Sequence, residues 1–158
     1  MKRSVQPCHP QIGSLPSMSC RHLMLTTRSG RRGRAAENLV VWFLRQRGYR
    51  VVGRNINCAL GEVDIIVLDP GARLKTYRFV EVKMRHGSAR MPPEAAVTRS
   101  KQKKIYAASR YWILKNRPGR AVFHFDIVAI RWPNKGIPRI RWYRDAFFPE
   151  DPLGWKPS

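Results

Sequence analysis

Acidic residues, cysteines and long apolar runs are all scarce in this sequence, and each shortage narrows the class of protein. The 158 residues include 10 Asp and Glu against 31 Lys and Arg, which gives a formal net charge of +21. The three cysteines form no C-x-x-C pair, which argues against a disulfide framework and suits a reducing cytoplasm. No apolar run approaches the roughly 18 residues that span a bilayer, so we expect a cytoplasmic protein with no membrane partner.

The excess of positive charge predicts a polyanionic partner. Arginine outnumbers lysine by 22 to 9, and the planar guanidinium group matches phosphate oxygens better than an ammonium does. Nucleic acid is therefore the expected partner, and a solvated basic surface without a partner is the alternative. Charge alone does not separate an enzyme that acts on nucleic acid from a non-catalytic binding protein, such as a ribosome-associated factor, or from a scaffold.

The chain divides into three segments by composition. Residues 1–33 carry no acid and are rich in Ser, Thr, Pro and Gly, which predicts a disordered basic arm; an organellar targeting segment or a true start at Met24 are the alternatives. Residues 34–148 have the hydrophobic periodicity of one folded domain. Residues 149–158 include three prolines and are expected to form a tail.

The periodicity of residues 34–148 predicts an α/β domain. RAAENLVVWFLRQRGY and PPEAAVTRSKQKKIYAASRYWILKN have apolar residues at helical spacing, and Gly48 and Pro118-Gly119 mark the helix ends. A strand is predicted in YRVVGRNIN, a hairpin in EVDIIVLD and YRFVEVKMR around a Pro-Gly turn, and two final strands in AVFHFDIVAIRW and RIRWYRDAF. The order is α-β-β-β-α-β-β, a mixed central sheet flanked by helices.

Acids occur inside the two strands of the predicted hairpin. If the hairpin turns symmetrically between residues 72 and 73, Asp64 lies opposite Glu81, and Glu62 lies opposite Lys83. Opposed carboxylates repel unless a cation compensates them, and Mg²⁺ binds through one or two carboxylates while keeping positions for water and phosphate oxygens. Lys83 beside such an ion would hold a metal-activated water or neutralise the scissile phosphate. The pattern predicts a metal-dependent phosphodiesterase site.

Each of these acids also has an ordinary structural interpretation. Glu81 and Lys83 would form an ion pair, Asp64 would pair with an arginine, and Glu37 in the first turn of a helix would complement the helix dipole. Asp126 is open between a structural and a functional role. The clustering of acids in a chain that has few of them favours the joint, catalytic interpretation.

Six segments together resemble a known family. GRAAENLVVWFLRQRGYRVVGRNIN, GEVDII, FVEVKMR, AAVTRSKQKKI, FDIVAI and WYRDAF follow, in order, the pattern of the YraN-like family of small bacterial proteins over about residues 33–148. That family is similar to the restriction-endonuclease-like PD-(D/E)xK nucleases, which include archaeal Holliday-junction resolvases. The resemblance implies a restriction-endonuclease-like fold and an endonuclease that acts on branched or structured DNA. It also leaves a homodimer open, because cutting a junction requires two sites.

The resemblance further implies roles for individual residues. Asp64 and Glu81 would be ligands of Mg²⁺ or Mn²⁺, with the Val82 backbone carbonyl as a third ligand. Lys83 would be the catalytic lysine, and Glu37 an outer acid that supports the metal or its water. The first motif reads Glu-Val-Asp where the superfamily's name has Pro-Asp.

Basic residues near the hairpin and on the second helix are candidates for contact with the phosphate backbone. Arg85 and Arg90 follow Lys83 in the chain, and Lys101 and Lys104 lie about one helical turn apart. A solvated helix face is the alternative interpretation of the two lysines.

Overall fold

The computed structural model describes residues 28–86, 97–133 and 136–148. In order along the chain, its elements are α1 (Arg28–Arg45), β1 (Arg50–Cys58), β2 (Gly61–Asp69), β3 (Thr76–His86), α2 (Arg99–Asn116), β4 (Val122–Trp132) and β5 (Arg139–Tyr143). The strands form one sheet in the order β1-β2-β3-β4-β5, which is parallel between β3 and β4 and antiparallel at the other three pairings. The predicted mixed α/β architecture and the order of its elements are confirmed. Neither α1 nor α2 is long and apolar enough to cross a bilayer.

The sequence predicted that helix α1 begins at about Arg34, and in the structure it begins at Arg28. The first buried residue described in α1 is Ala36, so the hydrophobic periodicity starts only there and gives no signal for the earlier turns. After the helix, Gly48 adopts a φ of 82°, the left-handed conformation predicted for its C-terminal end. Residues 1–27 and 149–158, which hold most of the predicted arm and the whole tail, lie outside the described residues.

Each face of the sheet packs against one helix. From Ile65 to Val67, consecutive residues of β2 alternate between two hydrophobic cores, because side chains along a strand point to opposite faces. Ile65 and Val67 belong to the core that includes α1, and Ile66 belongs to the core that includes α2. The predicted apolar faces of both helices are buried, including Val40 and Leu44 of α1 and Ile105, Ala108 and Trp112 of α2.

The β2–β3 hairpin has the predicted register over most of its length. Leu68 pairs with Tyr77 and Ile66 with Phe79, as the symmetric turn requires. The ladder ends one pair further on, at Ile65 and Val80. The two pairs predicted beyond that point, Asp64 with Glu81 and Glu62 with Lys83, are therefore not formed, because the strands separate there.

Helix α2 rests directly on the first residue of β2. A Cβ atom built at Gly61 would lie 2.0 Å from the Lys104 carbonyl oxygen, a distance that no side chain tolerates. At the N-terminus of α2, the Thr98 hydroxyl accepts a hydrogen bond from the Lys101 N–H at 3.3 Å, which caps the helix. The glycine thus lets the first turns of α2 approach β2 closely, beside the acids of the hairpin.

Candidate active site

The candidate site lies where β2 and β3 separate, a feature that we call the fork. On one side β2 stays paired with β1 as far as Gly61, and on the other β3 stays paired with β4 as far as His86. Between them, the Val82 N–H donates a hydrogen bond of 2.7 Å to Asp64 Oδ2. A side-chain carboxylate thus takes the place that a backbone carbonyl would have in a continued ladder. The fork brings Asp64 against the backbone that follows Glu81.

Glu81 is the most buried acid of the fork, with 3% of its side chain exposed. Lys83 Nζ lies 2.8 Å from Glu81 Oε1, and Lys101 Nζ lies 3.4 Å from the same oxygen. The other oxygen, Oε2, is buried without a hydrogen-bond partner. Leaving a buried acceptor unpaired costs about 1–3 kcal/mol. One half of this carboxylate is therefore satisfied by two ammonium groups, and the other half lacks a donor.

Glu37 reaches the same region from α1, on the other side of the sheet. Its Oε2 atom is also buried without a hydrogen-bond partner, and within the described residues these two oxygens are the unpartnered buried polar atoms of side chains. After burial and the charge of Glu81, the negative charge of Glu37 makes a smaller contribution to the raised pKa of Asp64. Three acids predicted to act together, from α1, β2 and β3, are thus brought into one electrostatic cluster.

Asp64 holds a proton more tightly than an ordinary aspartic acid does. Burial, followed by the negative charge of Glu81, raises its pKa from 3.8 to about 7, and the Val82 N–H and Lys101 only partly offset these effects. Around neutral pH the acidic cluster therefore carries less negative charge than its number of carboxylates indicates. A bound cation would favour the ionised form of Asp64 by supplying the missing positive charge.

Lys101 has a place in the site that the sequence did not indicate. Its ammonium lies 2.7 Å from Glu62 Oε1 and 3.4 Å from Glu81 Oε1, so it bridges two acids. Burial alone would lower the pKa of Lys101, but Glu62 and Glu81 outweigh burial and raise it. The hydrogen bond from Lys101 in turn lowers the pKa of Glu62. Lys101 was predicted to contact the phosphate backbone, and its ammonium instead lies within the acidic cluster.

The remaining basic candidates lie around the site or outside the described residues. Lys104 is exposed, and its positive charge also lowers the pKa of Glu62. Arg85 is exposed on β3, two residues beyond Lys83. Arg90 lies outside the described residues. The assignment of Arg85, Arg90 and Lys104 to the phosphate backbone stays a prediction.

A second acidic cluster, on the same sheet, is structural. Asp126 has no exposed surface and accepts hydrogen bonds from the Arg78 guanidinium, the Trp142 indole and the Asp145 N–H, at 2.9–3.2 Å. Arg78 also pairs with Asp69. Both Asp126 oxygens already have donors, unlike the unpartnered oxygens of the fork. The open question about Asp126 is thus answered in favour of a structural role.

The donor atoms of the fork suit a hard divalent cation. Asp64 and Glu81 offer carboxylate oxygens, and oxygen ligands are those that Mg²⁺ and Mn²⁺ prefer. In the part of the chain that the structure describes, no three Asp, Glu, His or Cys side chains converge into a complete metal site. Mg²⁺ does not require three, since it commonly binds through one or two carboxylates and keeps several waters. The unpartnered oxygen of Glu81 and the raised pKa of Asp64 fit such an ion.

Fold and site together define a mixed α/β domain with an oxygen-donor acidic cluster at a strand fork. The family described as "Uncharacterised protein family UPF0102" matches residues 36–130. The UPF0102 protein of Geotalea uraniireducens is 42% identical over 115 residues, which cover 73% of this chain and 87% of the relative. The corresponding proteins of Clostridium tetani and Clavibacter michiganensis are 36% and 32% identical, over 73% and 76% of this chain and 92% and 98% of theirs. The chain belongs to the UPF0102 family.

This membership confirms the resemblance to the YraN-like family. The matched residues include every described member of the fork, from Glu37 on α1 to Lys101 on α2. The family's description states no activity, so the wider resemblance to PD-(D/E)xK nucleases stays a prediction.

Proposed function

We propose that this protein hydrolyses phosphodiester bonds in DNA with Mg²⁺ or Mn²⁺, as an endonuclease of branched or structured DNA. The observation that carries the proposal is the pair of buried carboxylate oxygens without partners, on Glu37 and Glu81, beside an aspartate whose pKa is raised to about 7. A fold leaves buried acceptors unpaired at a cost, and a divalent cation would remove that cost. The preference for branched DNA is supported by the family resemblance alone.

Asp64 and Glu81 would hold the ion, with the Val82 carbonyl as a further ligand and Glu37 supporting the metal or its water. When bound, the ion would polarise the phosphate and lower the pKa of a coordinated water. The structure supports the role of Val82 through its N–H, which fixes the orientation of Asp64 at 2.7 Å. The role of its carbonyl rests on the resemblance.

Lys83 supplies positive charge beside the acids. Its ammonium lies 2.8 Å from Glu81, so it would lie beside a phosphate bound at the same carboxylate and would neutralise charge that develops on the phosphate oxygens. Lys101 forms ion pairs with Glu62 and Glu81. Its positive charge would lower the repulsion among the acids before substrate binds. Two ammonium groups thus have separate tasks, one towards the phosphate and one towards the carboxylates.

The test is a cleavage assay on labelled linear, single-stranded, flapped and four-way DNA and on matched RNA, with Mg²⁺, Mn²⁺ or EDTA. We expect cleavage that requires a divalent ion and that falls by at least about 100-fold in Lys83→Ala. Lys75→Ala is the matched control. Lys75 directly precedes β3, and at roughly 3.3 Å per residue along the strand its backbone lies about 26 Å from that of Lys83. Sedimentation with a four-way junction would show whether two copies bind it.

A second candidate function is non-catalytic binding of nucleic acid, which the net charge of +21 favours. Such a protein binds equally well with EDTA and leaves every substrate intact. That result would contradict the phosphodiesterase proposal.

A further inference from the structure

A large open groove follows helix α2 on its outer side. It is bounded by α2, by the β1–β2 turn at residues 57–60 and by Phe148 after β5, and its volume is about 960 Å³. We call it the α2 groove. None of the acids of the fork lines it, so it is separate from the candidate active site. The same helix nevertheless carries Lys101 into that site.

The groove gathers exposed apolar side chains. The described residues include seven large hydrophobic side chains that are exposed, and four of them line the groove: Leu60 (74% exposed), Leu114 (69%), Phe148 (69%) and Tyr111 (44%). Single exposed hydrophobic residues need no explanation, but a contiguous patch marks a binding surface. Two of the four are aromatic, so the groove offers exposed rings as well as aliphatic area.

The charge at the groove selects the kind of ligand. Arg99, Lys103 and Arg110 line it, and among the described residues no acid does so. Cations and rings are interleaved: the Arg110 guanidinium lies 6.0 Å from the centre of the Tyr106 ring, and Lys115 Nζ lies 5.8 Å from the centre of the Tyr111 ring. A positive groove with aromatic faces is the arrangement that binds single-stranded nucleic acid, because bases stack on the rings and phosphates pair with the cations.

The groove's length and position connect it to the fork. At about 1.5 Å per residue, α2 covers roughly 22 Å between Arg99 and Leu114, the length of about six stacked nucleotides at about 3.4 Å each. Leu60 of the groove lies two residues before Glu62, whose carboxylate pairs with Lys101 in the fork. A strand that passes the fork thus meets the first turn of α2 and can continue along the groove.

We propose that the α2 groove binds an unpaired nucleic-acid strand that leaves the fork. Bases stack on Tyr111 and Phe148, and phosphates pair with Arg99, Lys103 and Arg110. This inference rests on the proposed function and names its substrate class: nucleic acid with an unpaired arm next to a duplex, as in a flap, rather than a fully paired duplex.

The test measures the equilibrium binding of a labelled single strand and of a labelled duplex. EDTA is present, so that binding is measured without any metal-dependent cleavage. Tyr111→Leu and Phe148→Leu keep apolar area but remove the ring face, and we expect each to weaken single-strand binding by about fivefold or more while duplex binding stays within twofold. Tyr111→Phe retains the ring and should bind as the parent protein does. Trp42→Leu is the matched control, since Trp42 is an exposed aromatic residue of α1, on the opposite face of the sheet.

Charge is tested separately by Arg99→Gln and Arg110→Gln. Each should reduce the magnitude of the slope of log affinity against log salt for the single strand by about 0.7, as expected for one lost phosphate contact.

Two outcomes of the binding measurements would overturn the proposal that the α2 groove binds an unpaired strand. In the first, the leucine variants bind the single strand as tightly as the parent. In the second, removing residues 149–158 strengthens binding about tenfold or more, which would indicate that the chain's own end, with its acids Glu150 and Asp151, is the occupant.

The experiment also separates the groove from the phosphodiesterase proposal. If the protein prefers single strands but shows no metal-dependent cleavage, the phosphodiesterase proposal is contradicted and the proposed role of the groove is supported. If it cleaves flaps with a metal ion and both leucine variants cleave them equally well, the proposed role of the groove is contradicted and the phosphodiesterase proposal is supported.

Discussion

Replacing Asp64 by Asn is expected to stabilise the metal-free protein at neutral and alkaline pH. The asparagine is nearly the same size, and its carbonyl oxygen can still accept the hydrogen bond from the Val82 N–H. What the substitution removes is a negative charge that lies beside Glu81 and Glu37 in a largely buried place. Native structures rarely gain stability from the loss of a hydrogen-bonded carboxylate, so the sign of the effect is diagnostic.

The magnitude follows from the pKa of Asp64. Burial and the charge of Glu81 raise it from 3.8 to about 7, and at about 1.4 kcal/mol per pH unit this difference corresponds to about 4 kcal/mol. The ammonium groups of Lys83 and Lys101 are partly exposed, and solvent and salt screen the cluster from that side, so we expect about half of this, or about 2 kcal/mol. For a domain of this size, that is an increase in Tm of roughly 5 °C.

The pH dependence has a defined sign. Because the folded pKa of Asp64 lies above the unfolded one, the folded protein keeps a proton that the unfolded chain releases between about pH 4 and pH 7. The parent protein therefore loses this contribution to its stability as the pH rises through that range. The asparagine variant has no carboxyl group at position 64 and does not lose it. The difference in unfolding free energy should be near zero at pH 4, grow to about pH 7 and stay constant above it.

Urea unfolding in EDTA at several pH values measures this difference. Glu62→Gln is the matched control, because the hydrogen bond from Lys101 lowers the pKa of Glu62, and the loss of this exposed charge should destabilise by at most about 1 kcal/mol. The loss of a carboxylate charge is thus expected to have opposite signs at two positions of the fork. Clear destabilisation by Asp64→Asn at pH 8 without metal would show that the charge of Asp64 is needed for folding, and the site as described would be wrong.

Further outcomes are expected for metal binding, for Lys83, for the contact between α2 and Gly61, and for residues 1–27. At a free Mg²⁺ concentration of 100 times the Kd, the parent protein should gain about 2.7 kcal/mol and Asp64→Asn much less, as calorimetry would show. Lys83→Ala should lose cleavage and keep DNA affinity within a few-fold by fluorescence anisotropy; cleavage at the parent rate would exclude Lys83 from catalysis. Gly61→Ala should destabilise by at least about 2 kcal/mol in urea, since its Cβ would meet the Lys104 carbonyl; a neutral effect would contradict the close contact. Deleting residues 1–27 should lower DNA affinity and leave Tm within about 2 °C, whereas a loss of several degrees would show that they pack on the domain.

Patterns that are local in the chain predicted much of this fold. The alternation of apolar residues and the Pro-Gly turn determine the hairpin register, which is confirmed from Ile65 to Asp69. Helical spacing identified the buried faces of α1 and α2, and Gly48 marked the end of α1. Because acids are scarce in this chain, the clustering of Asp64 and Glu81 indicated a site, and the two residues lie together in the fork.

Contacts between distant parts of the chain could not be predicted in the same way. Where β2 separates from β3, the Val82 N–H donates a hydrogen bond to the Asp64 side chain, and the apolar pattern of the two strands gives no sign of this contact. Lys101 enters the site because α2 rests on Gly61, a contact between residues about 40 positions apart. The Arg78–Asp126 pair likewise joins two strands that only the parallel pairing of β3 and β4 brings together.

The fork also has a consequence for the order in which the chain folds. Its two acids come from a hairpin of neighbouring strands, but β4 and Lys101 arrive only after the chain crosses over through α2, and such long-range pairings form late. Until then, repulsion between Asp64 and Glu81 acts against zipping the open end of the hairpin. In pulsed hydrogen exchange during refolding, we expect the amides around Ile66 and Phe79 to gain protection before that of Val82. The last part of the domain to become ordered would then be the candidate active site.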